Sequence, residues 1–87
     1  MDEYRGKKTL VAGGLGFIGS NLAIRLVELG ASVTIVDSSE PSCGANDFNI
    51  EPVRKDVDII QGSICDLPLM RHLVRNQDCI FNLAGHV

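Results

Sequence analysis

Four glycines fall within seven positions, Gly13, Gly14, Gly16 and Gly19, between an apolar run and a helical pattern. The run is Leu10-Val11-Ala12, and the pattern starts at once with Phe17 and Ile18 and continues through Leu22, Ala23, Leu26 and Leu29. Strand, glycine-rich turn, helix is the context in which such spacing can hold a dinucleotide pyrophosphate. One glycine makes the tight turn, a second lets the backbone approach the phosphates, and a third lets helix and strand pack closely. The free N–H groups and positive dipole end of the helix then face the phosphates. Asp37 is the second group with chemistry to offer. It lies 18 residues after Gly19, close to the ~20-residue offset at which an acidic residue meets an adenosine ribose. An isolated terminal Asp is a turn former about as often as a ligand, and the glycine turn ahead of it favours the ligand.

The elements that must position these groups follow from periodicity and punctuation. A first strand is predicted from Thr9 to Gly13, apolar throughout as in a parallel sheet covered on both faces. A helix from about Phe17 to Leu29 has its apolar stripe at 18, 22, 26 and 29 and ends at Gly30. A second strand, Ser32 to Val36, is mostly β-branched and ends at Asp37. Residues 38–55 carry Pro41 and Pro52 and read as a loop with a short helical turn near Asp47–Ile50. A third strand, Val57 to Gln61, is closed by Gly62, and Ser63-Ile64-Cys65 turn beside its carboxyl end. Asp66 reads as the N-cap of a second helix with Pro68 in its first turn, continuing through Leu69, Met70, Leu73 and Val74 and closed by Asn76-Gln77. The fourth strand is Cys79 to Leu83, followed by Ala84-Gly85-His86-Val87. Right-handed crossovers turn this β-α-β-loop-β-α-β order into a parallel sheet ordered 3-2-1-4 with two main helices. The Gly13–Gly19 turn, Asp37, Ser63-Ile64 and Leu83-Ala84-Gly85 then share one carboxyl edge, where open α/β sheets bind ligands.

Composition narrows the function classes. With 87 residues, a formal net charge of −3 and a pI of about 5.1, the chain has no basic face for nucleic acid. No apolar run approaches the roughly 20 residues that span a bilayer, and Met1 to Gly6 lack the apolar core of a signal peptide. Cys43, Cys65 and Cys79 are odd in number and widely spaced, so they suggest neither a disulfide framework nor a metal site. They read as free thiols of a cytoplasmic protein.

The segment AGGLGFIGSN resembles the TGGxGFIGS signature of the extended short-chain dehydrogenase/reductase family, which contains many nucleotide-sugar epimerases and dehydratases. VTIVDSS is similar to that family's second strand and ribose-binding acid, VDIIQGSICD to its GDIRD segment and CIFNLAGHV to its VFHLAA strand, so the likeness runs from Lys8 to Val87. The resemblance implies a partial Rossmann-type doubly wound sheet and an NAD cofactor. It implies that Gly13, Gly16 and Gly19, with Phe17 and Ile18, cradle the pyrophosphate. Asp37, with Ser38 beside it, would meet the adenosine ribose, and Ser63 and Ile64 the adenine edge. Leu83, Ala84 and Gly85 would pass along the nicotinamide-side ribose and phosphate. Four positions depart from the pattern: Ala12 for Thr, Ser63 for Asp, Cys65 for Arg and Asn82 for His. Ser63 removes a charged acceptor for the adenine amino group. A carboxylate at Asp37 favours the free 2′-hydroxyl of NAD over the 2′-phosphate of NADP, and Ser38-Ser39-Glu40 offer no cation for such a phosphate.

The family's chemistry also needs a Y-x-x-x-K pair with a Ser or Thr, lying well beyond the fourth strand. The match at Tyr4 and Lys8 is interrupted by Gly6 and sits at the amino end of the first strand. It is expected to be a solvated tail. His72, on the polar side of a helix, and His86 have no nucleophile beside them. Cys65 and Cys79 suit packing, and Glu40, Glu51 and Asp56 suit a charged loop surface. No catalytic residue is therefore assigned, and residues 1–87 are expected to form the N-terminal part of a dinucleotide-binding domain, inactive alone. Its partners would be NAD and, only in a complete enzyme, a nucleotide sugar, with neither nucleic acid nor membrane. The bare edge of the fourth strand invites self-association. Two alternatives stand beside this reading: a non-catalytic dinucleotide sensor, and an NADP-dependent reductase of the same superfamily.

Overall fold

The computed structural model describes residues 3–13, 17–38 and 53–83. Its elements are β1 (Lys8–Ala12), α1 (Phe17–Glu28), β2 (Ser32–Asp37), β3 (Val57–Gln61), α2 (Leu67–Val74) and β4 (Cys79–Asn82). The four strands are parallel and ordered β3-β2-β1-β4, the order expected from the sequence. The register places Ala12 opposite both Val36 and Asn82, and Asp37 opposite Gln61.

Alternation along the strands builds two cores. On one face Val11, Val33 and Ile35 bury against Ala23 and Leu26 of α1, with Ile59 and Phe81 packed beside them. On the other, Leu10, Ala12 and Val36 meet Leu73 of α2, flanked by Ile60, Ile64, Leu69 and Met70. Four of the five residues of β1 are buried, so its continuous apolar run matches a strand covered on both faces.

Local chemistry ends the helices. At the end of α1 the Gly30 amide donates to the Val27 carbonyl at 2.9 Å and the Ala31 amide to the Leu26 carbonyl at 3.0 Å. These are the paired bonds of a Schellman motif with glycine at C′. Asp66 caps α2, its Oδ1 accepting from the Leu69 amide at 3.1 Å, with Pro68 in the first turn. That helix ends at Val74, ahead of the expected Asn76-Gln77 closure, and Asn76 takes a left-handed φ of 67° just beyond it.

Further expectations change. β1 and β4 each end one residue early, and Gly13 and Leu83 continue their ladders as single hydrogen bonds. A 3-10 turn occupies 53–56, and Val53 within it is buried in the α1-side core, although the sequence reads there as loop. The helical turn expected near Asp47–Ile50 lies outside the described residues. Finally, the Tyr4 segment is not a solvated tail. Tyr4 is half-buried against the α1-side core, its carbonyl accepts from the Lys7 amide at 3.0 Å, and the Gly6 amide donates to the Gly30 carbonyl at 2.9 Å. The aromatic ring supplies apolar area to a small core, which outweighs its position near the terminus.

A candidate dinucleotide site at the carboxyl edge

Parallel strands deliver all their carboxyl ends to one edge, and here that edge is stitched beyond the strands themselves. The Gly13 amide donates to the Val36 carbonyl at 2.8 Å, the Leu83 amide to the Ala12 carbonyl at 2.8 Å and the Gly62 amide to the Asp37 carbonyl at 3.0 Å. In each case the residue just past one strand is held to its neighbour. Since adjacent strands lie about 4.8 Å apart, Gly62, Asp37, Gly13 and Leu83 form a short row across the edge.

Gly13 leaves β1 with a φ of 85°, a left-handed conformation that a side chain disfavours. The first residue of α1 is Phe17. Phe17 and Ile18 are 74% and 71% exposed, while Gly19 is buried where the helix meets the sheet. The Phe17 carbonyl accepts from Ser20 Oγ and Asn21 Nδ2, both at 3.0 Å, which ties down the first turn. No acidic side chain occupies that turn. The positive end of the helix is thus uncompensated by its own carboxylates, as an anion site requires.

Asp37 is the last residue of β2 and half-buried, with Ser38 exposed beyond it. Across the gap to β3, Ser63 and Ile64 follow Gly62. Ser63 Oγ accepts from the Cys65 amide at 3.0 Å, and the Ser63 carbonyl accepts from the Asp66 amide at 3.0 Å, so the turn is closed by its own groups. The Ser63 side chain stays exposed with its proton and a lone pair to offer. Ile64 leans into the α2-side core and is half-buried.

The fold therefore brings Gly13, Phe17, Ile18, Gly19, Asp37, Ser38, Ser63, Ile64 and Leu83 to the carboxyl edge and its adjoining helix start. Gly16, Ala84 and Gly85 lie outside the described residues, as do Cys43, Glu40, Glu51 and His86. Tyr4 and Lys8 sit at the opposite edge, where the Lys8 amide donates to Asp78 Oδ2 at 2.8 Å. Sequence reasoning gives Gly62 only the task of ending a strand, yet its amide holds the Asp37 carbonyl and its Cα faces Leu69. Nothing in the local pattern announces that approach. The residues present suit a dinucleotide: a turn that leaves the strand in a left-handed conformation, a helix with no acidic side chain in its first turn and a carboxylate one strand away. Among the described residues no cluster of His, Cys, Asp and Glu could hold a metal, and no helix is long and apolar enough to cross a membrane.

Comparison with known proteins gives the same edge a context. Residues 10–87 match the family model described as GDP-mannose 4,6 dehydratase. The chain is 42% identical over 79 residues to a UDP-N-acetyl-alpha-D-glucosaminuronate decarboxylase from Bacillus cytotoxicus, covering 91% of this chain and 24% of that protein. It is 35% identical over 83 residues to a dTDP-D-glucose 4,6-dehydratase from Mus musculus, covering 91% of this chain and 23% of that protein. Among solved structures, the Bordetella bronchiseptica enzyme WbmF in complex with NAD+ and UDP superposes with a TM-score of 0.82 at 34% identity, covering 99% of this chain and 25% of that one. The chain thus spans about a quarter of the length of the relatives it matches.

Proposed function

Because the chain belongs to the GDP-mannose 4,6-dehydratase family, within the extended short-chain dehydrogenases/reductases, we propose that it binds the adenosine and pyrophosphate portions of NAD at the carboxyl edge of its sheet. The observation that carries this reading is the stitched row at that edge, which holds the Gly13 turn one strand from Asp37, with α1 following that turn and carrying no acidic side chain in its first turn. Gly13, Gly16 and Gly19 let the backbone close on the pyrophosphate, and Phe17 and Ile18 present the amides of the first helical turn. Asp37 accepts from the adenosine ribose hydroxyls, with Ser38 at its side. Ser63 and Ile64 border the adenine, one by its free O–H and the other by its exposed apolar part. Leu83, Ala84 and Gly85 follow the cofactor toward its nicotinamide half.

When bound, NAD supplies the capacity to accept and return a hydride. The activity to which this chain contributes is the epimerisation or dehydration of a nucleotide sugar, and residues 1–87 are its cofactor-binding portion. They supply no catalytic pair of their own, since the one tyrosine, Tyr4, is at the amino edge and half-buried in the core.

Calorimetric titration with NAD and NADP, on the wild-type chain and on Asp37→Ala, tests the reading. NAD should bind more tightly than NADP. Loss of charge-assisted hydrogen bonds to the ribose should weaken NAD by about tenfold or more and narrow the gap to NADP. A folded chain that binds neither nucleotide, or an Asp37→Ala variant with undiminished NAD affinity, would overturn it.

A further inference from the structure

We infer that Gly62 is a positioning residue for Asp37, and that its lack of a side chain sets how strongly the site prefers NAD to NADP. This rests on the reading of Asp37 as the ribose acid and adds a second residue to it. The Gly62 amide donates to the Asp37 carbonyl at 3.0 Å, continuing the ladder one step past the Asp37–Gln61 pair. That bond fixes the backbone from which the carboxylate projects, on the side away from the glycine turn.

A Cβ at position 62 would collide with Leu69 Cδ2. A leucine tip often swings aside, but that of Leu69 packs against the α2-side core, and its backbone is anchored. Its amide is bound by the Asp66 cap at 3.1 Å, its side chain packs against the core that Leu10, Ala12, Val36 and Leu73 form, and the turn from Gly62 to Asp66 is locked by the two bonds that Ser63 accepts. The easier response is for the strand end to move outward, which lengthens the Gly62–Asp37 bond and releases the carboxylate from its place. A released Asp37 loses ribose hydrogen bonds to NAD and repels a 2′-phosphate less, so the two nucleotides respond in opposite senses.

The test is the ratio of NAD to NADP affinity in the chain and in Gly62→Ala, Leu69→Ala, the double variant and Asp37→Ala. Gly62→Ala should lower the ratio by about fivefold or more, on the scale of part of a charge-assisted hydrogen bond. Adding Leu69→Ala, which empties the space the new methyl needs, should return the ratio to that of Leu69→Ala alone. A purely structural role for Gly62 would weaken both nucleotides by one factor and leave the ratio unchanged, and that result overturns the inference. If Asp37→Ala leaves the ratio unchanged, the ribose assignment itself fails. If it lowers the ratio while Gly62→Ala does not, only the coupling fails. A second measurement needs no substitution at Gly62. Saturating NAD should slow hydrogen exchange at the Gly62 amide in the wild-type chain, and Asp37→Ala should abolish that slowing. Exchange at Gly62 indifferent to NAD overturns the coupling even where Gly62→Ala does not fold.

Discussion

The Gly13 amide reaches the Val36 carbonyl at 2.8 Å while Gly13 itself holds a φ of 85°. The turn that leaves β1 is thereby bolted to β2 one residue before Asp37, and the two halves of the candidate site share a fixed origin. A side chain at Gly13 must adopt the left-handed conformation or break that bond. Gly13→Ala should cost about 1–2 kcal/mol through the φ alone, read as a lower urea midpoint, with weaker NAD binding alongside. An unchanged midpoint would show that the turn relaxes without cost.

The cap of α2 makes a separate prediction. Asp66 Oδ1 takes the Leu69 amide, one of the donors that a helix start leaves without an intrahelical partner. Asp66→Ala should destabilise the chain by about 1 kcal/mol, and Asp66→Asn by much less, because asparagine caps almost as well. Thermal melts of the two variants side by side separate the cap from the charge. Equal losses in both would assign the effect to charge instead.

These two features also mark what the sequence makes legible. The Asp66 cap, the Gly30 C′ residue and the limits of β3 are local signals, each readable from residue types a few positions apart. The strand order matches the Rossmann-type half sheet that the glycine turn and the family likeness of AGGLGFIGSN and VTIVDSS imply, with Asp37 on the strand next to that turn. What is not legible comes from contacts between distant segments. Val53 sits after Pro52 in a polar stretch, and its burial depends on α1 and β2 leaving room for it. Tyr4 looks like a terminal residue until the core is assembled. The approach of Gly62 to Leu69 depends on the angle at which α2 leaves the sheet, which no spacing encodes.

The docked N-terminal segment is open to direct test. Tyr4 packs on the α1-side core and the Gly6 amide is held by Gly30. Tyr4→Ala should destabilise the chain by about 1–3 kcal/mol, the range for losing a partly buried aromatic side chain. It should also speed hydrogen exchange at Gly6 more than at the central residues of β1. A solvated tail would give neither effect, and full exposure of Tyr4 to a surface-labelling reagent would restore that earlier expectation.

Burial rather than helix propensity should decide the response to leucine truncation. Leu26 in α1 is 2% exposed and Leu67 at the start of α2 is 61% exposed. Leucine and alanine differ little in helix preference, so replacing each by alanine compares a core with a surface in otherwise similar settings. Leu26→Ala removes a side chain lying among Val11, Ala23, Val33 and Ile35 and should cost about 2–5 kcal/mol. Leu67→Ala should stay within about 0.5 kcal/mol of the parent. Stabilities of small domains amount to only about 5–15 kcal/mol, so Leu26→Ala should lower the urea midpoint read by circular dichroism by a large part of its value. Equal losses in the two variants would mean that Leu67 is covered in solution.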